Sequence, residues 1–200
     1  MLPDGTEVPH VTAILSALGL TVDFGEVASR GPRQHRNVLL AGERGTAVHA
    51  DCHAYDDDDL DWDTVHHAVR PYVEAWAEAR VALGLRPINR ERRVYHPVHG
   101  YTGISDGLFE LNGDTTVGDI KTGDPSAAAT HLQTAAYAEA YRHENPTLNI
   151  TRRVAIWLRP GLRVPYKLID YTARPEAPLD FMKFAACVTV YRERLALGRL

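Results

Sequence analysis

The chain predicts an α/β fold built on a mixed β-sheet, and three observations carry that expectation. Segments with helical spacing of apolar residues surround a central block of alternating, β-rich segments, so helices and strands interleave. The pair Asn112-Gly113 separates two of the alternating segments and signals a tight hairpin. A length of 200 residues with 44% hydrophobic content supports one sizeable core, and no Pro/Gly/Ser-rich linker divides it. One domain over 1–200 is therefore expected.

The elements follow in order. VPHVTAILSALGL (8–20) reads as a short helix after a proline, with Val11, Ile14, Leu15 and Leu18 at helical spacing. Residues 30–44 carry four arginines against one glutamate and read as a solvated basic loop, with Arg30, Arg33, Arg36 and Arg44 as candidate phosphate contacts. GERGTAVHADCHAY (42–55) has helical character. Residues 51–63 hold seven aspartates and no Lys or Arg, a solvated acidic run. Asp63 to Leu85 reads as a long amphipathic helix, with Asp61 or Asp63 as cap and Gly84 near its end. From Arg90 to Lys121 the pattern turns to strands: RRVYHPV, YTGISDGLFEL and TTVGDIKT. Helix returns over Ser126 to Tyr141, RRVAIWLR and VPYKLIDY read as two strands joined by Pro160-Gly161, and a helix from Ala177 to Leu197 closes the chain. Trp62, Trp76 and Trp157 read as core.

Composition narrows the class of function. A net charge of −4 gives no global positive field, so any polyanion site must be local. Two cysteines, Cys52 and Cys187, are too few for a disulfide framework. The N-terminus lacks a positive segment followed by an apolar one, and no apolar run approaches a membrane span, so a reduced cytoplasmic setting without membrane association is expected.

The chemistry concentrates in GDIKTG (118–123), where Lys121 is one of three lysines beside nineteen arginines. Asp119 and Lys121 share a strand face, while Ile120 points the other way. If Asn112 and Gly113 form a two-residue type I′ turn, Leu111 faces Asp114, and counting back along both strands sets Asp106 opposite Asp119. Side chains opposed in this way stand about 4.5–5.5 Å apart at Cβ, so the two acids must share a proton or hold a cation between them. Hard divalent ions such as Mg²⁺ take carboxylate oxygens. Gly103, Gly107 and Gly118 flank the acids and would leave room for a phosphate-sized group.

Together these residues resemble the PD-(D/E)xK nucleases, in particular the RecB-like and lambda-exonuclease-like branch. The resemblance lies in RGTAVH (44–49), GISDG (103–107), GDIKTG (118–123) and HLQTAAY (131–137), which fall in family order. It implies a restriction-endonuclease-like core over roughly 44–170, with an N-terminal helical segment (1–43) and a C-terminal helix at roughly 177–198. It further implies Asp106 and Asp119 as metal-binding carboxylates, with Lys121 aiming the attacking water and steadying the phosphate. His49 would be an added metal ligand, and the Ile120 carbonyl a backbone ligand. Gln133 and Tyr137, one helical turn apart, match an element near the substrate backbone. Glu91 stands where many relatives carry a supporting acid. Mg²⁺ or Mn²⁺ is the implied cofactor, and two cysteines cannot hold the four-cysteine iron-sulfur cluster of some members. The implied activity is DNA hydrolysis, with exonuclease action in recombination, repair or phage DNA processing. The implied partners are DNA and a helicase or annealing protein, with oligomerisation possible.

Other readings of the same residues stay open. His49, Cys52 and His53 share one helical face and could bind zinc, but they lack an evident fourth ligand. His53 also reads as a packing histidine and Cys52 as a small buried hydrophobe. A non-catalytic nucleic-acid-binding or assembly module would keep the fold without the chemistry.

Overall fold

The computed structural model describes the backbone of residues 7–21, 32–127 and 129–200. Arg30 lies outside the described residues, as do the side chains of Arg33 and Arg36. Five strands, β1 (Arg86–His96), β2 (Tyr101–Leu111), β3 (Asp114–Lys121), β4 (Ile150–Leu158) and β5 (Tyr166–Asp170), form one sheet in the order β1-β2-β3-β4-β5. The first three are an antiparallel meander. β3 and β4 are parallel and β5 is antiparallel to β4, so the sheet is mixed as expected. The described helices are α1 (Val11–Ala17), α2 (Pro32–Asp56), α3 (Arg70–Leu83), α4 (Thr130–Glu144) and α5 (Asp180–Ala196). α4 is the crossover that lets β3 and β4 run parallel.

Two apolar clusters cover the two faces of this sheet. Val94, Tyr101, Leu108 and Val117 meet α1, α4 and α5 through Ile14, Tyr141 and Phe184. Phe109, Leu111, Ile120 and Ile156 meet α2 and α3 through Val48, Cys52 and Trp76. The alternation of Leu108 and Phe109, or of Val117 and Ile120, between clusters is the period-two rule of strands sandwiched between helices.

The Asn-Gly hairpin forms as expected. Asn112 and Gly113 take φ of 54° and 86°, the left-handed pair that a type I′ turn requires, and Leu111 faces Asp114. The ladder continues to Gly107 opposite Gly118 and then stops.

Two expectations about helices need correction. The basic run from Pro32 onward is not a loop: it belongs to α2, which continues without a break through the first of the acidic residues to Asp56. α3 begins at Arg70, not Asp63, because Pro71 is accepted only in a first turn, where its missing N–H loses no bond. Asp61 caps a turn ahead of it, accepting the Asp63 N–H at 3.0 Å. Gly84 ends α3 in the left-handed conformation as the sequence suggests. Trp76 is core, whereas Trp62 and Trp157 are half-buried beneath the guanidinium groups of Arg70 and Arg159.

The glycines around the acids also serve a purpose other than the expected one. A Cβ at Gly118 would fall 2.7 Å from the Phe109 ring, and one at Gly103 would fall 2.5 Å from Tyr137. Aromatic rings, not a ligand, occupy that space. Phe109 is itself wedged edge-on against Trp76, with ring centroids 5.8 Å apart, so it has little room to yield. Gly118→Ala should therefore destabilise the fold by about 1–3 kcal/mol, the range for overpacking a filled core. An unchanged urea midpoint would show the ring free to move.

Candidate active site

The candidate site forms where β2 and β3 part company. Asp106 is next after the last paired residue of β2, and Asp119 is next after its partner on β3. Their backbones no longer exchange hydrogen bonds there. Instead the Ile120 N–H donates to Asp106 Oδ2 at 2.7 Å, so a side chain takes the place of a ladder bond. The other oxygen, Asp106 Oδ1, stands 3.3 Å from His49 Nδ1, which α2 delivers from the side.

Asp119 is 1% exposed and paired through β3 to Ala155 of β4. Lys121 Nζ approaches its Oδ2 to 2.8 Å. That is ion-pair distance, yet the angles make no hydrogen bond, and Oδ2 is buried without one. Lys121 Nζ also donates to Gln133 Oε1 at 3.4 Å, and Gln133 Nε2 donates to the Tyr137 hydroxyl at 3.2 Å. Asp106, Asp119, Lys121, His49, Gln133 and Tyr137 are thus in one network drawn from α2, β2, β3 and α4.

The remaining candidates are placed as follows. Register between the pairs Arg90–Gly107 and Arg92–Ser105 sets Glu91 across from Asp106. Its backbone is left-handed, at φ 44°, and its carboxylate reaches His53 Nδ1 at 3.7 Å rather than His49. His53 is 7% exposed, with neither ring nitrogen hydrogen-bonded among the described residues. Arg44 lies over the Tyr72 ring and lines a cleft of about 630 Å³ together with His49, Ile120, Lys121 and Gln133. Arg36 is in α2, its side chain outside the description. Cys52 is wholly buried, and burial pushes its thiol far above the ordinary range, so it behaves as an apolar side chain. Sequence reasoning missed the opposite wall of the cleft, where α1 contributes Thr12 and Ser16. The polar positions that break the apolar spacing of Val11, Ile14 and Leu15, Thr12 within it and Ser16 just after it, were the available signal.

Electrostatics split the two acids. Burial raises the Asp119 carboxyl, Asp106 raises it further, and the attraction of Lys121 does not offset them, leaving it pushed up to about 6. Burial also opposes ionisation of Asp106, but His49, Lys121 and the Ile120 N–H outweigh it and hold that carboxyl below the usual range. His49 and Lys121 are both raised, since the carboxylates overcome the burial that disfavours their charge.

A sequence model described as the PD-(D/E)XK nuclease superfamily matches residues 28–175, and the chain belongs to that superfamily. Its class of activity is phosphodiester hydrolysis in nucleic acid, and its members generally use divalent metals such as Mg²⁺. No curated protein matches the chain. Among the described residues no helix is long and apolar enough to cross a membrane.

The donor chemistry suits a hard cation: a buried carboxylate oxygen without a hydrogen bond, a second carboxylate, and an imidazole. Among the described residues, no three His, Cys, Asp or Glu side chains converge as a ready-made cage. His49 and Lys121 currently answer the two carboxylates.

The raised Asp119 carboxyl has a consequence in metal-free buffer. A group whose folded value lies above its unfolded one favours folding only while protonated, so the penalty grows from about pH 4 to pH 6 and is complete above. Asp119→Asn removes it and should raise stability at pH 8 by about 3 kcal/mol, at about 1.4 kcal/mol per unit. That gain should shrink as the pH falls towards 4. Thermal unfolding in EDTA across this range checks the sign, and a variant less stable at pH 8 would mean that the Lys121 attraction wins.

Proposed function

We propose that this chain is a metal-dependent deoxyribonuclease of the RecB-like, lambda-exonuclease-like branch, acting from DNA ends in recombination, repair or phage DNA processing. The observation that carries this reading is the meeting of Asp106, Asp119, Lys121 and His49 at the end of the β2–β3 hairpin. Mg²⁺ or Mn²⁺ would be held by Asp106, Asp119 and His49, with the Ile120 carbonyl as backbone ligand. When bound, such an ion supplies Lewis acidity that acidifies water and neutralises phosphate charge.

The chain's own groups do the rest. Lys121 orients the attacking water and steadies the scissile phosphate. Gln133, held by Tyr137, limits where the Lys121 ammonium can go and faces the substrate backbone. Arg44, and Arg36 further up α2, meet flanking phosphates, a local basic element on a chain of net charge −4. Glu91, opposite Asp106 in register, would serve as the supporting acid on turning its carboxylate from His53 toward the site. A helicase or annealing protein is the partner class this branch implies, and the cytoplasm of a bacterium or phage-infected host is the setting.

The test is end-labelled DNA, linear and closed circular, incubated with Mg²⁺, Mn²⁺ or EDTA. Linear DNA should be degraded only with metal, and closed circles should persist. Asp106→Ala, Asp119→Ala and Lys121→Ala should each lower kcat at least about 100-fold, the scale for losing a group that stabilises developing charge, with the fold retained by circular dichroism. DNA that is shifted but never cut would identify a binding module, and cut circles an endonuclease.

A further inference from the structure

α5 is apolar on two opposite faces, and the fold uses one of them. Phe184 and Val188 face inward, buried in the cluster that α1 and α4 share. At about 100° per residue Ala186 points the other way, and Leu179, Met182, Val190 and Leu197 fall within about 40° of it. All five are open: Met182 is 66% exposed and Leu197 60%. A helix laid on a sheet ordinarily carries polar residues on its outer side, so a continuous apolar stripe there marks a docking surface. Among the described residues nothing covers it.

The charges on this helix say what would. Arg192 and Arg194 are turned back onto the fold, donating to the His99 carbonyl at 3.0 Å and the Ala17 carbonyl at 2.9 Å. Lys183 and Glu193 are left beside the stripe, one towards each end and both exposed. They lie about 15 Å apart along the helix, so they cannot pair within one chain. A second α5 laid antiparallel, with Ala186 against Val190 of the other copy, brings each Lys183 beside the other copy's Glu193. The same register sets Leu179 beside Leu197. A parallel pairing would instead stack lysine on lysine and glutamate on glutamate. The small Ala186 side chain lets the helices approach to the roughly 8–10 Å at which helices pack. A contact of this kind uses the same patch on both copies and closes on itself.

We propose that the outer face of α5 is a self-association surface: a second copy of this chain docks on it antiparallel about a two-fold axis, and Lys183 of each copy meets Glu193 of the other. The inference stands apart from the nuclease reading and holds whether or not the chain cuts nucleic acid. One helix pair is a small interface, so the dimer is weak and its population follows concentration.

Sedimentation velocity on the full chain, across the micromolar range, should show a reversible monomer–dimer equilibrium. Lys183→Glu sets glutamate against glutamate, and Glu193→Lys sets lysine against lysine. Each should raise the dimer Kd at least about tenfold. Both positions are exposed, and circular dichroism should show the fold unchanged. Mixing the two variants in equal amounts should restore association, because each bridge is then complete in the heterodimer, and the double variant Lys183→Glu/Glu193→Lys should dimerise like the unaltered chain. A chain that stays monomeric up to about 100 μM overturns the proposal, since an association weaker than that is no longer specific. Single variants that dimerise undiminished, or a mixture that fails to associate, overturn it equally.

Discussion

Two carboxylates side by side in a nearly dry place require positive charge at hand, and much of this architecture supplies it. At an effective dielectric of about 20, unit charges 4 Å apart interact by roughly 4 kcal/mol, enough to unseat a marginally stable fold if left unanswered. Asp106 and Asp119 stand one residue beyond the last rung of the hairpin, six residues from its turn on each strand, and Asp106 opposes the ionisation of Asp119. Lys121 follows on the same face of β3, and α2 brings His49. Each cation arrives on an element anchored by apolar packing elsewhere, which lets the charges meet without having to hold the fold together.

The same dependence runs through the glycines. Tyr137 lies where Gly103 has no side chain, and its hydroxyl takes the Gln133 amide, whose oxygen takes the Lys121 ammonium. A missing Cβ on β2 thereby helps settle a lysine on β3. That matters because a lysine side chain carries about 2 kcal/mol of rotamer entropy, and an untethered one would spend little time beside Asp119. Gly107 and Gly118 serve Phe109 on the other face, letting the ring lie flat over the hairpin just before the strands separate.

What could be read in advance was what depends on local rules. The Asn-Gly turn sets register by itself, and parity along β3 puts Asp119 and Lys121 on one face. Helical periodicity located His49, α1 and α4. What could not be read depends on distant partners. The basic run of α2 has loop-like composition, and nothing within 30–44 announces that its helix is continuous with the one bearing His49. Glu91 stands in the right register, yet its left-handed backbone sends the carboxylate to His53, a choice no spacing rule encodes. The purpose of the glycines was misjudged for the same reason, since the rings that fill their space belong to residues two positions away or on another element.

The choice of lysine in an arginine-rich chain now has a physical reason. A guanidinium beside Asp119 would form a two-pronged, charge-assisted pair, saturating the carboxylate and fixing its plane. An ammonium is a compact point charge. At 2.8 Å it lowers the cost of the buried acid while leaving Asp119 Oδ2 without a hydrogen bond, so that oxygen keeps its lone pairs directed at its surroundings. Lys121 therefore makes Asp119 tolerable without using it up. The pair of Arg80 with Asp56 puts a buried acid to a structural use instead, one carboxylate oxygen accepting both the guanidinium and the Trp76 indole N–H and tying α2 to α3. Each pair leaves one buried carboxylate oxygen without a hydrogen bond, and what sets Asp119 apart is the second carboxylate and the imidazole beside it, a donor set that suits a hard cation.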